Sequence, residues 1–281
     1  MDDMADFVSD AELSIEPMAT HGWDVEYVSW RDATVDWQVF DAVYICTPWD
    51  YPEDPEAFLG VLDTIEASRA RLVNPLALVR WNLDKTYLRD VEERGGAIVP
   101  SRWCKGPRTS DFDAAMQDFD SGRIVVKPVI GANAVDTFVV GQDTSAEQLN
   151  EIAAIFDGRR ALVQPYIESV ESAGEYSLFF FAGKYSHAIR KVPAAGDFRV
   201  QEEHGADIQS VSPPAELLAA ATGIVALVEP EPVYARADFV EGNDGEYLLM
   251  ELELIEPSLY LRTSTGAAEQ FARAFDNYCR R

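Results

Sequence analysis

Residues 248–254 read LLMELEL, with acids and aliphatics alternating through Met250, Glu251, Leu252, Glu253 and Leu254. A period of two marks a strand with one buried and one polar face. Upstream, residues 233–240 (VYARADFV) lead into EGNDGE, whose Asn-Asp-Gly run suits a tight turn. The two runs therefore make an antiparallel hairpin over 233–256. An even-length loop pairs Asp238 with an odd-numbered residue such as 249 or 251, and directly paired residues share a face. Arg236, Asp238, Glu251 and Glu253 then project from one face, and Ala237, Phe239, Leu252 and Leu254 from the other. Adjacent glutamates repel, so the polar face is either simply solvated or lies beneath a cation. Hard divalent cations take oxygen ligands of this kind.

The rest of the chain mixes two architectures. Residues 10–22 read as a helix ending at Gly22, and 23–30 (WDVEYVSW) alternate like a strand. Residues 40–49 (FDAVYICTPW) hold the apolar run of a buried parallel strand. Residues 54–70 form an amphipathic helix with Asp54 as its cap, and 71–75 (RLVNP) a short strand. Strand, helix and strand at this spacing make a βαβ unit. The chain opens on a helix where a doubly wound domain usually opens on a strand, so its first sheet is expected to be one strand short.

Further along, a helix capped by Asp84 is expected over 84–96, and a strand pair over 122–131 and 134–141. A helix over 144–158 starts with a TSAE capping box. A strand at 161–167, a hairpin over 175–193 turning at Ala182, Gly183 and Lys184, and a helix over 214–229 precede the last hairpin and a terminal helix. The fold class is thus α/β and α+β: an N-terminal α/β domain over 1–82, then two α+β lobes over 83–165 and 166–281.

The charge is extreme, with 49 Asp and Glu against 23 Lys and Arg, net −26. Such a balance reports on solvent rather than fold and suits a protein in concentrated salt, a halophilic signature. It argues against nucleic-acid partners, which attract the opposite sign. The lysines are Lys85, Lys105, Lys127, Lys184 and Lys191 alone. A chain so poor in lysine keeps it where an ammonium is needed. With no apolar run of membrane-spanning length and no apolar signal core, the protein is expected to be cytoplasmic and free of membrane. Cys46, Cys104 and Cys279 are scattered, which excludes a disulfide framework or zinc site. The sequence has no HExxH, no nucleophile elbow, no Walker loop and no dinucleotide fingerprint.

Anion chemistry has better candidates. Lys127 ends an apolar strand (IVVKP) and is followed by the small residues Gly131, Ala132, Asn133 and Ala134. A half-buried ammonium is costly without an anion, and a small-residue turn lets backbone amides approach phosphate. Arg190, Lys191 and Arg199 form a basic island suited to an anionic substrate or a transferring phosphoryl group. Residues 161–167 (ALVQPYI) run as a strand into the connection between lobes. Trp49, Asp50 and Tyr51 follow a parallel strand, where open α/β sheets bind ligands; a packed aromatic corner is the other reading.

Lys85, Lys127 before its small-residue loop, the VQPYI connector, the basic segment and the Asp238…Glu251-x-Glu253 order together resemble the ATP-grasp superfamily. More particularly they resemble its glutathione-synthetase-like and ribosomal-protein-S6-glutamate-ligase-like members. The phrases TPWDYPEDPEAF, NPLALVRWNLDKTYL and MELELIEPSLYL resemble the subgroup that includes the cycloserine-forming cyclo-ligase. The resemblance implies an ATP-grasp fold, in which a short pre-ATP-grasp domain precedes two lobes that clasp ATP. It implies phosphate contacts from Lys85 and Lys127, a phosphate loop at Asn133, adenine contacts from Gln164, Tyr166 and Ile167, and Glu168 or Glu175 near the ribose. Asp238, Glu251 and Glu253 would hold Mg2+ or Mn2+, and Arg190, Arg199 and Arg236 would steady the transferring phosphoryl group. The implied activity is ATP-dependent ligation of a carboxylate to an amine or other nucleophile through an acylphosphate, by a homodimer. A kinase acting on a small acceptor and a non-catalytic nucleotide-binding relative are the alternatives. Two departures stand out: Glu253 occupies a position where many relatives carry Asn, and the phosphate loop has few glycines.

Overall fold

The computed structural model describes residues 7–194 and 196–281, and it contains three sheets. Helix α1 (Ile15–Thr20) comes first. Strand β1 (Ala42–Tyr44) and β2 (Arg71–Val73) form a parallel pair joined through α2 (Pro55–Glu66). Asp54 caps α2, accepting from the Ala57 amide at 3.0 Å. Phe58, Leu62 and Ile65, spaced for one helical face, pack with Leu72 and Val79.

The alternating segment 23–30 does not become a strand. Residues of this segment and of β1 line a common apolar cavity of about 180 Å³, with Trp23, Tyr27, Trp30 and Tyr44 in its wall. Without a neighbouring ladder, alternation alone cannot fix extended pairing, and Tyr27 stays 56% exposed.

Helices α3 (Leu76–Asn82) and α4 (Tyr87–Glu93) follow. Asp84 does not cap α4 as expected. It accepts from the Thr86 amide at 2.9 Å and pairs with Arg160, so Lys85 sits in the turn between the two helices.

The second sheet has the order β3 (Arg102–Lys105), β6 (Arg160–Pro165), β4 (Arg123–Pro128), β5 (Phe138–Gly141), and its pairings are antiparallel. Helices α5 (Thr109–Asp118) and α6 (Ala146–Ile155) cover one face, packing Phe112, Ala115, Ile152 and Phe156 on Ile124, Val126 and Val163. Ser145 and Gln148 make the capping box of α6, while Thr144 accepts from the Gly141 amide. The period-two pleat turns Val125, Lys127 and Gln164 to the uncovered face.

The third sheet has the order β11 (Tyr247–Glu253), β10 (Tyr234–Glu241), β7 (Glu175–Phe181), β8 (Lys184–Val192), β9 (Asp207–Val211). The β7/β8 hairpin turns at Ala182 and Gly183, with φ of 46° and 68°. Two consecutive left-handed residues are what a type I′ turn requires. Helix α7 (Ala215–Ala226) packs on one face against Leu178, Phe180, Ala237, Phe239 and Leu252. Helix α8 (Ala267–Cys279) covers one end of the other face, where Phe271 and Phe275 meet Phe179, Phe181 and Tyr234. The other end of that face is polar.

Two asparagines tie the N-terminal segment to this sheet. Asn74 Nδ2 donates to the Tyr234 and Leu254 carbonyls, both at 2.9 Å, and its Oδ1 accepts from the Val233 amide at 2.6 Å. Asn82 donates to the Leu252 carbonyl at 2.7 Å and accepts from the Leu254 amide at 2.9 Å. The Tyr87 hydroxyl takes the Leu252 amide at 2.8 Å. These side chains pair the free edge of β11, which an exposed sheet would otherwise leave open. Among the described residues no helix is long and apolar enough to cross a membrane.

Candidate active site

The uncovered faces of the second and third sheets line one cavity of about 230 Å³. Strand register decides what each contributes. In the last hairpin Arg236 pairs with Glu253 and Asp238 with Glu251. All four line the cavity, whereas Ala237, Phe239 and Leu254 are buried away from it in the core; Leu252, also buried, borders the cavity as well as the core. A bulge after Asp238 then pairs Phe239 with Leu249. Across the sheet, Asp238 pairs with Ser177 and Glu175 with Lys191, which extends the polar face over β7 and β8.

Among the described residues the cavity wall carries five cations, Lys85, Lys127, Lys191, Arg199 and Arg236. It also carries six carboxylates, Glu175, Glu203, Asp238, Glu251, Glu253 and Glu256. The buried lysines are the informative ones. Lys85, Lys127 and Lys191 are 7%, 9% and 5% exposed, whereas Lys105 and Lys184 lie on the surface. Lysine scarcity pointed to Lys85 and Lys127; the same signal, with the parity of β8, identifies Lys191.

Most of these charges are paired. Lys85 Nζ is 3.0 Å from Glu251 Oε1 and donates to the Gly131 carbonyl at 2.8 Å. Lys191 donates to Glu175 Oε1 at 2.9 Å. Arg236 reaches Asp238 Oδ2 at 2.9 Å and also pairs with Glu253, and Ser177 donates to Asp238 Oδ1 at 2.5 Å. Burial opposes the charge on Asp238, but Arg236 and Lys191 outweigh it and hold the carboxyl below its usual range. Burial likewise opposes Glu251, which Lys85 and Lys127 hold low. Lys127 has no carboxylate within ion-pairing distance among the described residues, and burial lowers its pKa. Burial, reinforced by Asp238 and Glu251, pushes Glu253 up to about 7. Burial and the neighbouring Glu253 push Glu256 up to about 8. The carboxylates are therefore in surplus, and two of them lack a full counter-charge.

The loop after β4 contributes Gly131, Asn133 and Ala134 to the wall. Asn133 and Ala134 adopt φ of 53° and 56°, a left-handed pair that glycine would adopt without side-chain cost. The connector contributes Gln164, Tyr166 and Ile167, with Gln164 Nε2 donating to Ser101 Oγ at 2.9 Å. Trp49 and Tyr51 close another part of the wall. Gln201 Oε1, also in the wall, is buried without a hydrogen-bond partner among the described residues.

Three expected residues lie elsewhere. Arg190 pairs with Tyr176 on the opposite face of the sheet from Lys191 and donates to Gln209 Oε1 at 2.8 Å. Parity within the basic island separates the two: the cation in the cavity is Lys191. Glu168 leaves the wall to pair with Arg123, which lies 4.0 Å over the Tyr166 ring. Asp50 turns away to accept from Trp30 Nε1 at 2.8 Å and Arg31 Nε at 2.5 Å. The expected metal triad is also not assembled as a triad. Its carboxylates share one face but face cations, and among the described residues no three Asp, Glu, His or Cys side chains stand in metal-holding geometry.

Two lobes closing on a cavity lined with buried cations and hard oxygen donors are the architecture of an ATP-grasp ligase, an enzyme that joins a carboxylate to a nucleophile at the expense of ATP. Comparison with known proteins makes this specific. Residues 1–74 match the model of the D-cycloserine synthetase DcsG N-terminal domain, and 108–229 that of the prokaryotic glutathione synthetase ATP-grasp domain. The chain is 36% identical to the cycloserine biosynthesis protein DcsG of Streptomyces lavendulae over 277 residues, covering 92% of this chain and 90% of that one. The crystal structure of D-cycloserine synthetase DcsG superposes with a TM-score of 0.85 at 32% identity, covering 96% of this chain and 94% of that one. ATP-grasp ligase PsnB, complexed with minimal precursor, Mg and ADP, shares the fold with a TM-score of 0.63 at 15% identity, over 96% of this chain and 94% of that one. The chain belongs to the D-cycloserine synthetase family of ATP-grasp ligases.

Proposed function

We propose that this protein is an ADP-forming ligase that activates a small carboxylate as an acylphosphate and joins it to an amine, as in the cyclising chemistry named for its Streptomyces relative. The observation that carries this is the set of three buried lysines on one cavity in a chain with only five. Lys85 and Lys191 are paired with Glu251 and Glu175, but among the described residues Lys127 has no carboxylate within ion-pairing distance. A buried ammonium of that kind calls for an anionic ligand, and a nucleotide triphosphate supplies it.

In this reading Lys85 and Lys127 contact phosphates, beside the loop at Asn133. Gln164, Tyr166 and Ile167 lie along the adenine. Arg199 and Arg236 steady the phosphoryl group, joined by Lys191, while Glu175 holds Lys191 in place. Asp238, Glu251 and Glu253 would hold Mg2+ or Mn2+ by turning from Lys85 and Arg236, which now pair with them, toward the ion: they are hard oxygen donors on one face. Such an ion would neutralise phosphate oxygens. The chain's own contribution is positioning and charge stabilisation, with no protein nucleophile required.

The acidic surface supports a salt-adapted, cytoplasmic protein without nucleic-acid or membrane partners. Family resemblance is the support for a homodimer. Calorimetry of ATP with Mg2+ in concentrated KCl tests the core of the proposal: saturable binding, with ADP release coupled to amide formation, is expected. Absence of ATP binding would overturn it, and ADP release that phosphorylates an acceptor without ligation would identify a kinase.

A further inference from the structure

Glu256 lies just past β11, 8% exposed, with its side chain in the cavity wall. It differs from its neighbours in one respect. Glu175, Asp238, Glu251 and Glu253 each have a lysine or arginine partner. Among the described residues no cation stands within ion-pairing distance of the Glu256 carboxylate; the Tyr51 side chain lies beside it in the cavity wall and interacts with it electrostatically.

The surroundings hold this carboxylate in place. Trp49 Nε1 donates to the Glu256 backbone carbonyl at 3.1 Å, which fixes the backbone beneath the side chain. Tyr51 is 4% exposed and stacks on Phe58, ring centroids 5.1 Å apart, so its hydroxyl is rigidly aimed. A buried carboxylate is stable when ionised only beside a positive charge, and among the described residues the nearby Lys85 acts on Glu256 only from beyond ion-pairing distance, being paired with Glu251. A cationic group on the ligand would supply the missing partner and favour the ionised carboxylate. The nucleotide is anionic and finds its charge complement among the buried lysines. The remaining substrate is the nucleophile, and a primary amine at neutral pH is a cation.

We propose that Glu256, with Tyr51 and Trp49, forms the subsite that recognises the ammonium group of the amine-bearing substrate, which rests on the ligase reading above. This subsite adds a specificity element to the phosphate and metal machinery. It also gives the Trp49 and Tyr51 corner, otherwise a packed aromatic wall, a direct role in binding.

The test is calorimetry on the full chain loaded with ADP and Mg2+ in concentrated KCl. The probes are D-cycloserine, D-serine and D-alanine, each paired with its N-acetyl derivative. At least one free amine should bind, with its acetylated form weaker by about 30-fold or more, the loss expected for a buried charge-assisted contact. Glu256→Gln should weaken that amine by a similar factor and leave ATP affinity unchanged. Tyr51→Phe should weaken it by about 5-fold, and Glu256→Asp should recover part of the loss. Equal binding of acetylated probes, or unchanged amine affinity in Glu256→Gln, overturns the subsite, as does binding of no probe by protein that binds ATP. Loss of ATP binding in the wild type would instead overturn the ligase reading and the subsite with it.

Discussion

Lys85 Nζ stands 3.0 Å from Glu251 Oε1 in a cavity wall where the lysine is 7% exposed. The same ammonium donates to the Gly131 carbonyl. One side chain therefore links β11 of the third sheet to the loop that leaves the second. Replacing Glu251 by Gln removes the counter-charge of Lys85 and the largest favourable charge near Lys127. ADP formation should fall by about 100-fold or more, and stability by about 2 kcal/mol. Far-ultraviolet circular dichroism should stay native, and unchanged turnover would show that the site is misplaced.

Lys127 should behave in the opposite way for stability. It is buried without an ion-pair partner among the described residues, and burial already lowers its pKa. Lys127→Met keeps the volume and removes a desolvated charge, so the melting temperature should hold or rise while ATP affinity drops by about 10-fold or more. A large fall in melting temperature would mean that the ammonium serves packing rather than ligand binding.

His187 offers a pH test outside the cavity. It stacks on Phe179, ring centroids 4.3 Å apart, with Nε2 3.0 Å from the Leu259 carbonyl. Burial holds its pKa below the usual value of about 6.5. The unfolded chain therefore takes up a proton that the folded one refuses. The stability contribution is complete above about pH 6.5 and is lost as pH falls below it. Denaturant midpoints between pH 7.5 and 5 should fall more steeply in the wild type than in His187→Gln. Parallel curves would count against the assignment.

Asn74 is fully buried and makes three side-chain hydrogen bonds that tie the end of β2 to β10 and the residue after β11. Asn74→Ala leaves two carbonyls and one amide unpaired and should cost about 3 kcal/mol by urea titration. ATP affinity, measured below the transition, should change little because Asn74 does not line the cavity.

With a net charge of −26, self-repulsion should dominate at low salt. Raising KCl from about 0.1 to about 2 M shortens the screening length several-fold, so the melting temperature should rise steeply. A flat response would contradict the salt-adapted reading.

Much of this architecture was readable from local pattern. The β7/β8 and β10/β11 hairpins, the Asp54 cap and the face carrying Arg236, Asp238, Glu251 and Glu253 all follow from short-range periodicity and turn chemistry, which the chain encodes within ten or twenty residues. The strand expected at 23–30 failed because a strand needs a partner, and no local pattern reports whether one is within reach. Strands β3 and β9 are short and sit at sheet edges, where burial imposes little alternation.

The site divides along the same line. Lysine scarcity and strand parity point to Lys85, Lys127 and, read fully, Lys191, because both are properties of the linear chain. Tertiary packing alone separates Glu175 from Glu168, turns Asp50 toward Arg31, and leaves Glu256 a buried wall carboxylate with no cation within ion-pairing distance among the described residues. Pairing between charges depends on distances across three sheets, and a linear order of residues carries no such distances.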